Sequence, residues 1–210
     1  MLALYFSAFV TFFVVIDPPG CAPIFAGLTR GAGADHARAM AIRSTVIAAA
    51  ILMLFALAGT PLLAALGISL DAFRAAGGIM LFLIALEMVF EKRTQRREHR
   101  IEEVAKRAAE THEEVQDISV FPMAIPMIAG PGSIATVMLM TSRNHGLALA
   151  VVLAAMASVL VVTMAALLAA GPIMRVLGDK LEAMITRILG VLLAALAAQF
   201  VIDGIKASFA

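Results

Sequence analysis

The chain has 210 residues, of which 62% are apolar and 15% charged, with a formal net charge of +1. A soluble domain is about 45–50% apolar and about 25% charged, so this composition nearly excludes a water-soluble enzyme or a disordered chain. One cysteine excludes an internal disulfide, and the balanced charge argues against nucleic acid as a partner.

Six transmembrane helices are predicted from the stretches that lack charge. A helix that crosses the hydrocarbon core of a bilayer needs about 20 residues, and the helix formers Ala and Leu dominate these stretches. The alternating pattern of a membrane β-barrel is absent. In chain order, the predicted helices are 3–29, 44–66, 72–90, 118–141, 146–171 and 184–205.

The positive charges predict the orientation of these helices. Twelve Lys and Arg residues fall in loops one, three and five, and three fall on the opposite side. Because cytoplasmic loops carry the excess of Lys and Arg, these three loops are assigned to the cytoplasm. Both termini are then expected outside it.

A charged stretch divides the chain into two halves. Residues 91–117 form the one long hydrophilic segment, and the spacing of Ile101, Val104, Ala105 and Ala108 is that of a short surface helix. We interpret this segment as a solvated cytoplasmic connector. The predicted units are a first three-helix repeat at 1–90, the connector at 91–117 and a second three-helix repeat at 118–210.

The two halves resemble each other at an offset of 112 residues. IDPPGCAPIFAGLT at 16–29 aligns with IAGPGSIATVMLMT at 128–141, and further on Gly78 meets Gly190. Pro61 matches Pro172 after a slip of one residue. Each half has three helices, an odd number, so the second half enters the membrane in the opposite direction. The sequence therefore predicts an all-α membrane protein built as an inverted repeat, a plan common in secondary transporters.

Proline and glycine predict a break in the middle of helices one and four. Helix one carries Asp17-Pro18-Pro19-Gly20-Cys21-Ala22-Pro23, and helix four carries Ala129-Gly130-Pro131-Gly132-Ser133. Proline removes a backbone donor and clashes with the preceding turn. Pro23 suits the first turn of a restarted helix and Ser133 suits an N-cap. A simple proline kink in each helix is the alternative.

The two breaks predict a binding site near the middle of the membrane. Each restarted half-helix presents N–H groups that suit a carboxylate, and the carbonyls ending each first half-helix suit an ammonium group. A zwitterionic amino acid carries both charges. The candidate substrate-binding residues are Asp17, Pro19, Gly20, Cys21, Ala22, Gly130, Pro131, Gly132 and Ser133.

Two alternative roles are predicted for Asp17: it caps the broken backbone, or it is a partner for an amine or a proton. Glu87, near the cytoplasmic end of helix three, is a second candidate for proton coupling. The histidines at 36, 99, 112 and 145 fall in predicted loops without metal-site spacing, so no metal and no cofactor is expected. No catalytic motif is recognised, and the chain is not expected to be an enzyme.

The stretches FFVVIDPPGCAPIFAGLT and FPMAIPMIAGPGSIATVMLM resemble the two signatures of the MarC family of bacterial and archaeal inner-membrane proteins. The resemblance covers nearly the whole chain. It implies a multi-pass protein of the bacterial inner membrane, and the charge pattern then places both termini in the periplasm. Cys21 departs from the Asn that many relatives have at this position.

The family is related to exporters of the LysE type and grouped with neutral amino acid transporters. The resemblance therefore implies a secondary transporter of small neutral amino acids such as glycine or alanine, coupled to protons, with sodium as an alternative ion. The lipid bilayer is an expected partner, and assembly of the protein as a homo-oligomer is left as an open alternative. The alternative function is a non-transporting structural or partner-binding membrane protein whose helix breaks serve packing.

Overall fold

A computed structural model describes residues 1–29, 31–90 and 117–209, with the side chains of 173–183 outside the description. The described residues are helical and contain no β-strand. The helices are α1 (Leu2–Ile16), α2 (Pro18–Leu28), α3 (Ala34–Ala65), α4 (Leu70–Val89), α5 (Pro131–Arg143), α6 (Leu147–Leu168) and α7 (Ala170–Ser208), with an irregular Ser119–Ile128 segment before α5. The surface helix expected between 91 and 116 lies outside the described residues.

Five stretches of the described chain are long and apolar enough to cross a membrane. They are Leu2–Leu28, Ala34–Ala65, Leu70–Val89, Leu147–Leu168 and Met184–Ser208. The Ser119–Ile128 segment and α5 together make a sixth candidate, bent by 54°. The large apolar side chains that point outward fit contact with lipid, such as Leu54 and Leu57 of α3, which are 61% and 63% exposed.

Two helices begin earlier than the charge pattern predicted. α3 starts at Ala34 rather than near residue 44, so Arg38, Arg43 and His36 lie on its first turns and not in a loop. Its 32 residues span about 48 Å, longer than the hydrocarbon core of about 30 Å. α7 starts at Ala170, so the expected loop five is helical backbone. A charged residue limits the part of a helix that can lie in the hydrocarbon core. The helix itself continues past that residue, because no residue there breaks it.

The first half of predicted helix four is not a regular α-helix. The Ser119–Ile128 segment makes wide turns in which Met123 N–H bonds to the Ile118 carbonyl and Ala129 N–H to the Ala124 carbonyl. Its peptide bonds before Pro122 and Pro126 are cis. Phe121 and Ile125, which precede these prolines, have extended backbone angles. Proline disfavours the helical region for the residue before it, so this motif interrupts the α-helix twice.

α4 and α7 form an antiparallel pair joined by small residues. A Cβ atom added at Gly78 would lie 2.8 Å from the Ala197 carbonyl oxygen, and one at Gly204 would lie 2.7 Å from the Ala75 nitrogen. The glycines therefore let the two helices approach closely, as is usual in membranes. Near the same end, Arg74 of α4 is buried and pairs with Asp203 of α7.

The N-terminal end of α3 is tied to the chain just before the Ser119–Ile128 segment. Arg43 Nη1 lies 2.9 Å from Asp117 Oδ2, in an exposed ion pair. Hydrogen bonds from the Ser119 hydroxyl and then from the Ser119 N–H lower the pKa of Asp117 below its ordinary value. Asp117 is therefore charged at neutral pH. Its ion pair with Arg43 also shows that the ends of the first and third predicted loops lie at the same end of the bundle.

Candidate functional site

Asp17 separates α1 from α2 by a single residue. Its backbone is left-handed (φ 56°, ψ 63°), and its side chain is completely buried. Asp17 N–H donates to the Phe13 carbonyl at 3.0 Å, which closes α1. Aspartate is one of the few residues besides glycine that visit this conformation readily. The chain can therefore turn here and continue as a second helix.

The N-terminus of α2 has its backbone donors occupied. Pro18 and Pro19 fill its first two positions and have no N–H. Gly20 N–H donates to Asp17 Oδ1 at 3.1 Å, and Cys21 N–H donates to the Asp17 carbonyl at 3.0 Å. The expectation that this half-helix offers open donors to an anion is wrong in this structure, because the Asp17 carboxylate already occupies that position.

The prediction for Pro23 also changes. α2 restarts at Pro18, so Pro23 lies inside the helix rather than in its first turn. Proline is preorganised for the first helical position, and the tandem prolines therefore start α2 earlier. Gly20, Cys21 and Ala22 are buried beside Asp17, whereas Pro19 is partly exposed. A side chain at Gly20 would overlap the Asp17 carboxylate.

The second break ends in an uncapped helix. Gly130 is the N-cap of α5, and no side chain caps the helix there. Pro131 occupies the first position, and the first backbone bond of α5 runs from Ile134 N–H to the Gly130 carbonyl at 3.0 Å. Ser133 is therefore the third residue inside the helix, and its predicted role as the N-cap is wrong. The proline again starts the helix before the serine.

The structure brings the two breaks into contact through α1 and α5. A Cβ atom added at Gly132 would lie 3.5 Å from Val15 Cγ1, in the last turn of α1. It would also lie 2.8 Å from Leu81 Cδ2 and 3.2 Å from Ile84 Cδ1, both on α4. The last turn of α1 is thus in side-chain contact with the first turn of α5. Glu87 lies on α4, about one turn beyond Ile84, and is partly buried.

Thr136 is a residue of this region that the sequence analysis missed. It is completely buried, and its hydroxyl oxygen has no hydrogen-bond partner within the described part of the chain. The spacing along the helix could have identified Thr136 from the sequence, because residues three and four apart share a helix face. Thr136 follows Ser133 by three residues and Gly132 by four, so the three residues lie together on α5.

A metal centre has no support in the described part of the chain. No three His, Cys, Asp or Glu residues cluster there in a way that could hold an ion. His145 lies in the connection between α5 and α6. His99 and His112 are outside the described residues.

Comparison with known proteins matches nearly the whole chain to one family. The profile of the MarC family integral membrane proteins matches residues 2–209. This chain belongs to the MarC family. It is 35% identical to a UPF0056 membrane protein of Archaeoglobus fulgidus, over 97% of this chain and 93% of that protein. No solved structure matches the chain.

Two bacterial relatives share the same extent. The chain is 32% identical to the UPF0056 membrane protein YvbG of Bacillus subtilis, over 100% of this chain and 97% of the relative. It is also 32% identical to the UPF0056 membrane protein YhcE of Escherichia coli, over 98% and 94%. In this MarC family protein, both family-like stretches of the sequence coincide with the two breaks and their flanking turns.

Proposed function

We propose that this MarC family protein is a secondary transporter of small neutral amino acids, with the substrate held between the breaks near Asp17 and Gly130. It works in the bacterial inner membrane as two inverted three-helix repeats. The observation that carries the proposal is the contact between the last turn of α1 and the uncapped first turn of α5.

Helix packing supports the inverted repeat. If α1, α2, α3 and α4 correspond to the Ser119–Ile128 segment, α5, α6 and α7, each main packing pair has a counterpart. α1 packs on α6, and its counterpart, the Ser119–Ile128 segment, packs on α3. α2 packs on α6, and its counterpart α5 packs on α3. α2 also packs on α7, and α5 packs on α4. The pairs α3–α6 and α4–α7 are their own counterparts.

Close contacts in the α4–α7 pair obey the same offset of 112 residues. Gly78 approaches Ala197 and Val201 of the facing helix, and Gly190 approaches Ala85, Met88 and Val89. Moving Gly78, Ala197 and Val201 by 112 positions gives Gly190, Ala85 and Val89. Met88 is the additional neighbour of Gly190. Reciprocal contacts of this kind are those of a two-fold axis, and the antiparallel direction of the helices is the one that an inverted repeat requires.

The charges at the two breaks suit a zwitterion. The carbonyl end of α1 and the Asp17 side chain offer oxygen acceptors, and they bind the substrate ammonium group. The first turn of α5 is positive and binds the carboxylate. Because Gly20, Ala22, Gly130 and Gly132 are small and buried, a substrate that contacts them is expected to have a small side chain. Leu81, Ile84 and Val15 cover Gly132 in this structure, so the substrate enters when these helices separate.

Proton coupling is assigned to Asp17, with Glu87 as the second candidate. A carboxylate at this depth is costly unless it is paired, solvated or protonated. Asp17 is completely buried, and its carboxylate accepts a hydrogen bond from Gly20 N–H. Alternating access would change the surroundings of this carboxylate, which is what coupling requires. Sodium is the alternative coupling ion.

The test is uptake of labelled glycine and alanine by proteoliposomes that contain the purified protein. An imposed pH gradient is expected to drive accumulation, while a sodium gradient alone is not. Protein-free liposomes are the control, and tryptophan is the oversized competitor. A complete lack of uptake and exchange for every small neutral amino acid would favour the alternative function, in which the tight packing around Gly132 is purely structural.

A further inference from the structure

Several buried threonines in the described part of the chain satisfy their hydroxyls within their own helix. In an apolar environment, a hydroxyl without a partner is costly, and a bond to the carbonyl four residues earlier removes that cost. Four buried threonines make this bond at 2.8–3.0 Å: Thr11, Thr45, Thr141 and Thr163.

Thr136 departs from this pattern although it is just as deeply buried. Its exposed fraction is 0%, and its hydroxyl has no hydrogen-bond partner among the described residues. The carbonyl four residues earlier belongs to Gly132, in the first turn of α5, and the Thr136 hydroxyl does not bond to it. A buried polar group that lacks a partner in a native structure calls for an explanation, and an absent ligand is one.

Thr136 lies one helical turn after the uncapped end of α5. Side chains of an α-helix tilt toward the N-terminus, so each covers the turn before its own Cα atom. The Cα–Cβ bond of Thr136 therefore leans toward the turn that contains Gly132 and Ser133. Their N–H groups precede the first backbone bond of α5 and have no side-chain cap. The hydroxyl and the two N–H groups are donors on one face.

The equivalent face of α2 carries no such set of donors. Subtracting 112 from Gly132, Ser133 and Thr136 gives Gly20, Cys21 and Ile24. Gly20 N–H is bonded to the Asp17 carboxylate, the Cys21 thiol lies 3.4 Å from the Ile16 carbonyl oxygen, and Ile24 is apolar. The two half-helices are therefore related in sequence but differ in the groups they offer a ligand.

We propose that the first turn of α5, completed by the Thr136 hydroxyl, is the carboxylate-binding half of the site and that α2 is not a second anion site. The identity of the ligand as an amino acid rests on the proposed function. The chemistry favours a monoanionic carboxylate over a phosphate dianion, because α1 and α2 contain no Lys or Arg and α5 has only Arg143 at its far end. A dianion buried without a cation is strongly disfavoured.

Cys21 provides a probe for binding. It is the only cysteine of the chain and is buried, so a thiol-reactive dye reports the unfolding that exposes it. The purified full-length protein in detergent is heated with increasing glycine or acetate, and the midpoint of the thermal shift gives an apparent affinity. Thr136→Val keeps the shape of the side chain and removes the hydroxyl. Thr163→Val is the matched control, because Thr163 is equally buried but its hydroxyl bonds to the Val159 carbonyl.

Glycine and acetate are both expected to stabilise the native protein. Thr136→Val should weaken both by about tenfold or more, as expected for loss of a hydrogen bond to a charged group. It should not lower the unfolding temperature without ligand, because the lost hydroxyl had no partner. Thr163→Val should keep the native affinities.

Unchanged affinities in Thr136→Val would overturn the inference and leave the proposed transport untouched. Acetate binding that depends on Thr136, together with an absence of glycine uptake in proteoliposomes, would uphold the inference and overturn the proposed function. If neither glycine nor acetate stabilises the native protein at any concentration, the inference is overturned.

Discussion

Asp17 combines a left-handed backbone, full burial and a helix cap at one position. Each feature narrows the residues that can stand there. The left-handed conformation favours Asn and Asp among residues with side chains, and the cap requires an oxygen acceptor for Gly20 N–H. Asn meets both needs without the charge, so substitution can separate structure from coupling.

Asp17→Asn is expected to assemble with nearly native stability and to lose uptake driven by a pH gradient. Asn caps helices about as well as Asp, but it cannot exchange a proton. Asp17→Ala removes the cap and leaves a strained backbone, so it should unfold more easily by about 2 kcal/mol. Thermal unfolding and proteoliposome uptake measure the two effects. Accumulation against a gradient by the Asn variant would reduce Asp17 to a cap and make Glu87 the next residue to test.

Gly130 offers a sharper structural test because the chain contains a matched glycine. Gly130 and Gly33 are both N-caps with extended backbone, at φ −78° and −60°. A side chain at Gly130 would overlap the Pro126 carbonyl oxygen, while Gly33 has nothing within 4 Å. Gly130→Ala should lower the unfolding temperature clearly, through a destabilisation of about 1–3 kcal/mol. Gly33→Ala should cost less than about 1 kcal/mol, and equal effects would contradict the geometry.

At the scale of whole helices, the α4–α7 pair depends on the absence of side chains at its crossing points. Gly78 faces backbone atoms of Ala197 and Val201, which cannot rotate away as a side-chain end can. Gly190 faces the Met88 Cβ atom, the Val89 side chain and the Ala85 carbonyl oxygen. Arg74 and Asp203 add a polar contact near one end, where Gln199 also donates to Asp203 at 2.6 Å. Gln199 thus bonds within its own helix.

Gly78→Ala and Gly190→Ala are each expected to destabilise the protein by about 1–3 kcal/mol, because the added methyl group forces the helices apart. The control is Gly171→Ala in α7, where no atom lies within 4 Å of the added Cβ. Alanine favours a helix over glycine by up to about 1 kcal/mol, so the control should be neutral or more stable. Thermal unfolding in one detergent compares all three, and a neutral Gly78→Ala would disprove the close crossing.

The Arg74–Asp203 pair is expected to respond unequally to the loss of each partner. The Arg74 side chain is 7% exposed and the Asp203 side chain is 31% exposed. Asp203→Leu strands the more deeply buried charge, so it should destabilise the protein more than Arg74→Met, in which Gln199 still bonds to Asp203. The double variant should lose less than the sum of the two. Additive losses in this double-mutant cycle would show that the pair contributes nothing.

For the whole molecule, the path of residues 119–143 decides the topology. If the Ser119–Ile128 segment and α5 cross the membrane together, there are six spans and both termini lie on one side. If they form a re-entrant loop, there are five spans and the termini lie on opposite sides. The exposed Arg43–Asp117 pair places the start of α3 and the start of this region at one end of the bundle in either case.

Reporters fused before Met1 and after Ala210 distinguish these paths. Both are expected to behave as periplasmic, because most Lys and Arg residues fall on the opposite side. A reporter inserted between α4 and the Ser119–Ile128 segment, within residues 91–116, serves as the cytoplasmic control. A cytoplasmic signal at the C-terminus with a periplasmic N-terminus would establish the five-span arrangement.

The amino-acid sequence alone predicted an all-α membrane protein, the approximate positions of its spans, and interruptions near Asp17 and Gly130. Apolar runs of about 20 residues and clusters of proline are local signals that need no knowledge of packing. The offset of 112 residues predicted that Gly78 and Gly190 are equivalent, and the inverted repeat stays a prediction that their contacts across the α4–α7 pair support. The match of Pro61 with Pro172 was wrong, since Pro61 lies inside α3 and Pro172 in the first turn of α7.

The difference between the two interruptions, near Asp17 and near Gly130, follows from contacts in three dimensions. The prolines predicted where the helices stop, but the orientation of the Asp17 carboxylate back onto Gly20 N–H decided that α2 is closed. Likewise, Thr136 resembles every other threonine in the sequence, and its missing partner depends on three-dimensional surroundings. Hydrogen bonds are directional and short, so a residue's type states what it can donate or accept, while the positions of its neighbours determine what remains for a ligand.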